Sequence, residues 1–183
     1  MVQVSGPRDQ EPGGALAESA NTCRASDCTK RVLRTVDTES RRIWCGIEGA
    51  PESLMTQIKS FRDLLVWQKA MDLAVRCYGV SRRMPKDEQG VLGYQIRKCA
   101  VSMPSNIAEG KARQSTAIYM NHLWVAHGSG AGAELETQLE LGARVKVVSE
   151  KEASALISDT QEIGRMLQGL VKSLERCVEG PRG

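Results

Sequence analysis

The sequence QIRKCAVSMPSNIAEG, residues 95–110, decides the fold. Its apolar residues, together with one leucine just upstream, recur at steps of three and four, which is typical of one face of an amphipathic helix. The members of this row are Leu92, Ile96, Cys99, Ala100, Met103 and Ile107. Pro104 lies inside the row and predicts a kink or a split in the helix. Gly110 is a natural terminator, so the helix is expected to end there.

Three further segments have the same periodicity. The first begins at Ser60, which forms a capping box with Asp63, and ends before Pro85. Its predicted core face consists of Leu64, Trp67, Met71, Ala74, Val75 and Tyr78. Another segment runs from about Ser115 to about Leu141, and the last opens with a capping box at residues 149–152. Four helices with short connections predict an all-α fold, an antiparallel up-down four-helix bundle.

The chain divides into two parts of different composition. Of its 183 residues, 41% are apolar and 26% are charged, which is ordinary for a globular protein, whereas the 4% aromatic content argues against a large β-sandwich. Residues 1–57 have no sustained apolar period and predict a disordered N-terminal extension. The bundle is expected at residues 58–180. An over-extended reading frame with its natural start at Met55 explains the upstream residues equally well.

The cysteines and the start of the chain bear on its compartment. No apolar signal segment opens the sequence, so we expect a cytoplasmic protein with reduced thiols. Cys23, Cys28 and Cys45 lack the tight paired spacing of zinc sites, and we expect neither a metal nor a cofactor. Cys77, Cys99 and Cys177 fall in helical patterns and are expected to be small buried hydrophobes.

Residues 114–133 contain no charged side chain. Their histidines, asparagine, serines and glycines make them too polar to cross a membrane. They nevertheless carry more apolar groups than one stripe of a bundle needs, and such a surplus usually marks an interface. The predicted oligomer interface consists of Ile118, Tyr119, Leu123 and Trp124.

Residue types that carry enzyme chemistry are present but poorly arranged. His122 and His127 are five residues apart, so they fall on different helix faces and form no metal pair. Ser102 and Ser105 have no base within sequence reach that could activate them. The glycine-rich run at residues 128–132 follows no strand and lacks the Lys-Ser/Thr pair of a phosphate loop. The sequence therefore predicts a protein that is not an enzyme.

Basic residues form the remaining functional pattern. The net charge is +3, and Arg62, Lys69, Arg76 and Arg83 recur at seven-residue spacing, a row of about 31 Å on a helix. Further cations are expected around the second helix at Arg82, Lys86, Arg97, Lys98, Lys111 and Arg113. These side chains are candidates for backbone-directed nucleic-acid binding, in which each neutralised phosphate adds salt-dependent affinity. The alternative is an ordinary solvated helix face.

Four strings of the sequence resemble the motifs of one family. They are residues 61–70 (FRDLLVWQKA), 95–110, 134–139 (ELETQL) and 162–167 (EIGRML), and the resemblance covers about residues 59–176. The family is the bacterial four helix bundle proteins, also called 23S rRNA intervening-sequence proteins. The resemblance implies a small bundle that assembles into a ring, commonly a pentamer, with RNA or ribosome association as the usual suggestion. A related branch is the accessory protein of diversity-generating retroelements, which binds a reverse transcriptase and nucleic acid.

The third helix departs from the family pattern. Where the family usually has Gly-Ser-Leu-Ala-Glu-Leu-Glu, this chain has GSGAGAELE at residues 128–136, which is two residues longer. Two extra residues rotate the following helix by about 200°, so either a bulge absorbs the insertion or the helix breaks.

Two classes of function remain open. One is an oligomer that binds ribosomal RNA or other nucleic acid, or that serves a retroelement reverse transcriptase. The other is a protein-interaction scaffold whose charges only keep it soluble.

Overall fold

The structure is a computed structural model that describes residues 60–129 and 131–179. The predicted extension at residues 1–57, with its alternative start at Met55 and its three cysteines, lies outside the described residues. So does the side chain of Cys177.

The described chain is entirely helical. Its helices are α1 (Leu65–Arg83), α2 (Lys86–Gln89), α3 (Leu92–Ala112), α4 (Thr116–Trp124), α5 (Gly132–Arg144) and α6 (Glu150–Glu179). A 3-10 turn, Phe61–Asp63, precedes α1, and a π-helical turn, Val125–Ser129, joins α4 to α5. In the part of the chain that the structure describes, no helix is both long and apolar enough to cross a membrane.

Four long units make the bundle, because α4, the π turn and α5 act as one. The helix α1 packs against α3 and α6, and the α4–α5 unit packs against the same two helices. Residues along α1 pair with residues of α6 in descending order, which makes these two helices antiparallel. The predicted all-α four-helix bundle is confirmed.

Local capping signals are found where the sequence places them. The Ser60 hydroxyl accepts from the Arg62 amide, and the Asp63 carboxylate accepts from the Ser60 amide at 2.8 Å. This capping box starts the 3-10 turn rather than α1 itself. At the start of α6, the Ser149 hydroxyl accepts from the Glu152 amide at 3.3 Å. Both predicted helix starts are therefore within a few residues of the observed ones.

The helix α3 differs from the sequence-based expectation at two positions. It continues through Pro104, which is buried, so of the predicted kink or split the split does not occur. It also continues past Gly110 to Ala112, so Gly110 is not the terminator. A Cβ at Gly110 would lie 2.7 Å from the His122 Cβ and 2.8 Å from the Tyr119 Cδ2. Glycine is needed at this position because α4 approaches the α3 backbone closely, not because the helix stops.

The core face of α1 is not the predicted one. Its inward residues are Val66, Ala70, Leu73, Ala74, Cys77 and Val80, all buried. Of the residues predicted to face the core, Leu64 and Ala74 are buried, but Met71, Val75 and Tyr78 are 39%, 67% and 37% exposed. The helix carries two apolar arcs, and periodicity alone gives no reason to choose between them. In the folded chain, the arc with the smaller residues packs in the core and the arc with the larger residues is exposed.

The chain winds as a π-helical turn where it enters the glycine-rich insertion. Residues Val125–Ser129 wind as a π-helical turn, and the Ala131 amide donates to the Val125 carbonyl at 3.4 Å. A Cβ at Gly132 would lie 2.2 Å from the His127 carbonyl oxygen, so only glycine fits there. Ala131 is a bend and α5 begins at Gly132, so the third unit of the bundle is divided into α4 with its π turn and α5.

Candidate functional surfaces

The predicted basic row lies along the contact between α1 and α6. Three of its four cations face carboxylates of α6 and form what we call the α1–α6 seam. Its pairs are Lys69 with Glu162 at 2.9 Å, Arg76 with Asp159, and Arg83 with Glu152 at 2.5 Å. The Ser149 hydroxyl, and then the Arg83 guanidinium, donate hydrogen bonds to the Glu152 carboxylate and lower its pKa. Much of the positive charge of the row is therefore neutralised within the subunit.

Several of the other cations have structural partners. Arg97 donates to the Ser81 hydroxyl and to the Gln89 carbonyl, which ties α3 to α1 and α2. Arg113 pairs with Glu109 at 2.6 Å, and the Lys111 ammonium lies 5.9 Å from the Tyr119 ring centroid. These contacts give Arg97, Lys111 and Arg113 roles in packing.

Four predicted cations lie outside such pairs. The Arg62 guanidinium lies 4.5 Å from the Phe61 ring centroid. Arg82, Lys86 and Lys98 are exposed, and no carboxylate of the described residues lies within 4.0 Å of them. The uncompensated positive charge of the predicted set is thus near the two ends of α1 and on α3.

The exposed apolar arc of α1 forms one wall of a groove of 740 Å³, with α3 as the other wall. We call it the α1–α3 groove. Its lining residues are Phe61, Arg62, Trp67, Met71, Ala74, Val75, Tyr78, Gly79, Arg82, Val101, Pro104, Ser105 and Ala108. Phe61 and Trp67 meet edge to face, with ring centroids 5.2 Å apart. The volume is in the range of ligand-binding clefts, and the lining is mainly apolar.

A second, largely apolar surface consists of residues of α4, Gln114 just before it and the first residue of the π turn. Its side chains are all exposed and uncharged, and we call it the α4 ridge. The ridge consists of Gln114, Ala117, Ile118, Asn121, Trp124 and Val125. Two of the predicted interface residues, Ile118 and Trp124, are therefore on the surface, at 45% and 43% exposure. The other two, Tyr119 and Leu123, are fully buried in the core of their own subunit, so a partner would not meet them.

The ring of Trp124 is held by a neighbour. Its centroid lies 5.8 Å from that of His127 in the π turn. His127 in turn hydrogen-bonds through Nε2 to the Gln168 amide at 2.6 Å and packs on the backbone of Gly164, where a Cβ would be 3.1 Å from the imidazole. The π turn thus supports the end of the ridge.

A polar network that the sequence patterns did not predict joins the 95–110 segment of α3 to α4. The Asn106 amide donates to Ser102, and its oxygen lies 3.3 Å from the His122 Nδ1. The His122 Nε2 lies 3.9 Å from the Glu109 carboxylate. Arg113, which hydrogen-bonds to Glu109, and then His122 lower the pKa of that carboxyl. The spacing of residues 102, 106, 109 and 113 along one helix face was the available signal.

The network does not resemble a nucleophilic site. Asn106 separates Ser102 from His122, so no base contacts the hydroxyl in this arrangement. Burial raises the pKa of the Cys77 thiol to about 12 and that of Cys99 to about 11. Neither thiol is therefore poised to form a nucleophilic thiolate at neutral pH. Within residues 60–129 and 131–179, no three metal-ligating side chains cluster.

Comparison with known proteins gives the family. The profile of the family described as 23S rRNA-intervening sequence protein matches residues 62–169. The chain belongs to this family. The matched residues begin in the 3-10 turn and end in α6, so the family pattern covers the bundle.

One solved structure of a relative is similar in sequence and fold. It is a protein of unknown function from the S23 ribosomal protein family of Bacteroides thetaiotaomicron, 28% identical to this chain with a TM-score of 0.54. The similarity covers 59% of this chain and 99% of that one. No curated protein matches the chain.

Proposed function

We propose that this protein is a non-enzymatic interaction module that self-assembles through the α1–α3 groove. The observation that carries the proposal is the second apolar arc of α1. Met71, Val75 and Tyr78 face outward beside Trp67 and are joined by Val101 of α3. A contiguous apolar surface of this kind usually marks a site of protein interaction.

The energetics favour a protein occupant for the groove. Complete burial of a Val or Met side chain stabilises a complex by roughly 1.5–3 kcal/mol relative to an exposed one. The groove offers several such groups close together, with an aromatic pair, Phe61 and Trp67, at one end. Two packed helices that leave an apolar channel between them suit the docking of a third helix. The family resemblance, which implies a ring of subunits, supports a second copy as the partner.

The test compares two exposed valines. Val75 in the groove is 67% exposed and Val91 outside it is 68% exposed, so glutamate at either position costs the isolated subunit little. Light scattering of the wild type is expected to give a mass several times the 20.0 kDa of the subunit. Val75→Glu should shift the protein to monomer, and Val91→Glu should not. A wild type that is monomeric at micromolar concentration would refute the proposal.

A second candidate function is RNA binding by the assembled protein. Arg82, Lys86 and Lys98 are the observation in its favour, since they are exposed cations without a nearby carboxylate among the described residues. The family description, which refers to 23S rRNA, supports RNA as the nucleic acid. A reverse transcriptase partner remains a prediction from the resemblance alone.

Salt titration separates these cations from the seam. If only cations outside ion pairs contact phosphates, Lys86→Gln with Lys98→Gln, both outside the groove, should reduce the slope of log K against log salt by about 1.4–1.8. The control is Lys69→Gln with Arg76→Gln, which removes the same charge from the seam and should leave the slope nearly unchanged. Equal reductions in the two variants would mean that net charge alone controls binding, and the absence of RNA binding by the wild type would refute the candidate.

A further inference from the structure

We propose that the α4 ridge of a second copy occupies the α1–α3 groove, so that subunits join head to tail. This inference rests on the proposed self-assembly and names the surface that enters the groove. The two surfaces do not overlap: the groove is lined by residues of the 3-10 turn, α1 and α3, and none of the ridge residues is among them.

Shape favours the ridge over a second groove. The groove is a concave channel between α1 and α3. Two such channels placed face to face would leave an empty space between them, and unfilled space loses packing contacts. The ridge is the outer face of one helix, with a diameter of about 10–12 Å including side chains, and is convex. A convex helix face against a concave channel is the usual helix-in-groove arrangement.

The charges of the two surfaces also favour the ridge, rather than a second groove, as the occupant of the groove. The two charged residues of the groove, Arg62 before α1 and Arg82 in its last turn, are both cations. Pairing two grooves would bring arginines of one copy towards those of the other, and like charges across an interface are unfavourable. The ridge belongs to residues 114–133, which contain no Asp, Glu, Lys or Arg. It therefore brings no charge of its own into the groove and places no like charge against Arg62 and Arg82.

The ridge also has the residues that an interface needs at its centre. Ile118 and Val125 are seven residues apart and lie nearly in line along the helix, while Trp124 lies about 120° around it from Ile118. Their exposed fractions are 45%, 39% and 43%. Tryptophan is among the residues that most often dominate binding energy. His127 contacts the Trp124 ring and so limits the freedom that docking would remove.

The symmetry of the contact follows from the surfaces. When groove and ridge are different patches, each subunit offers one of each, and the contact is heterologous. Repeated contacts of this type give a closed ring if the rotation closes and a filament if it does not. A two-fold dimer is not the expected product.

The experiment mixes two complementary variants of the full chain. The groove variant carries Met71→Glu and Val75→Glu, and the ridge variant carries Ile118→Glu and Val125→Glu. Each variant alone is expected to be monomeric, because its substitutions should raise the concentration at which half of the protein assembles by about 100-fold or more. An equimolar mixture should give a dimer of twice the 20.0 kDa subunit mass, because the intact ridge of one variant fits the intact groove of the other. The dimer cannot grow, since its two outer surfaces are disabled.

The controls separate this inference from the proposed function. Leu141→Glu, at a residue of α5 that is 47% exposed, should leave assembly unchanged. Circular dichroism and thermal unfolding check that each variant is folded, and Ile118→Asn with Val125→Asn is the milder alternative if the ridge variant is not. A ridge variant that assembles like the wild type, or a mixture that stays monomeric, would overturn the inference and leave self-assembly in place. A monomeric wild type would overturn both.

Discussion

The helix α1 has two long neighbours, and its contacts with them differ in kind. Along α6 it forms the α1–α6 seam, where three cations at seven-residue spacing meet three carboxylates. Along α3 it packs its small residues inward and leaves larger apolar residues in the α1–α3 groove. The charged side is thus satisfied within the subunit, and the apolar side is not.

The difference shows why the charge pattern was a weaker guide than the apolar pattern to the surface of α1 that the fold leaves exposed. A row of cations on one helix looks available for phosphates as long as the facing helix is unknown. An excess of apolar residues on the same helix remains an excess after the core is filled. The part of α1 that is unsatisfied is therefore the part that points to a partner.

A pair of truncations tests which of the two apolar arcs of α1 lies in the core. Leu73→Ala removes a side chain that is 2% exposed and should lower the free energy of unfolding by about 2–5 kcal/mol. Val75→Ala, two residues away and 67% exposed, should change it by less than about 0.5 kcal/mol. Denaturant unfolding below the concentration of assembly measures both. The reverse order of effects would mean that the arc first predicted from the sequence is the one in the core.

The inward and outward sides of α3 can be compared in the same way, with a smaller effect. Gly110→Ala places a methyl group against Tyr119 and His122 and should cost about 1–3 kcal/mol of folding free energy. The control is Ser105→Ala, which lies in the groove and donates to the Val101 carbonyl of its own helix. It should be neutral within about 0.5 kcal/mol. A stabilising Gly110→Ala would contradict the close approach of α4.

Removing an ion pair of the α1–α6 seam should have the smallest effect on the free energy of unfolding. A double-mutant cycle with Arg76→Ala and Asp159→Ala is expected to give a coupling of about 0.2–1 kcal/mol, because both side chains are partly exposed, at 50% and 36%. The coupling should shrink at high salt, since exposed charges are screened. Thermal unfolding of the four proteins at two salt concentrations measures it. No coupling at low salt would mean that the ion pair does not form in solution.

The sequence located part of each candidate surface. It selected Met71, Val75 and Tyr78 as core residues although they are exposed, because a period of three and four marks any apolar face, internal or external. Trp67 of the same row is partly buried and packs against the core. The sequence selected Ile118 and Trp124 as interface residues, and they are exposed. It could not separate them from Tyr119 and Leu123, since that requires the positions of the helices packed against α4. The network around Asn106 and His122 was missed because it joins two helices.

What the sequence determined by itself was the existence and approximate extent of the helices, together with the family. Capping at Ser60 and Ser149 and the apolar row of α3 depend on residues a few positions apart, so they can be recognised in the sequence before any tertiary contact is known. The tertiary structure decided which arc of α1 is buried, that Gly110 is a packing residue and that the basic row faces α6. Each of these depends on atoms that come together only after folding, as when Arg76 meets Asp159, 83 positions away in the chain.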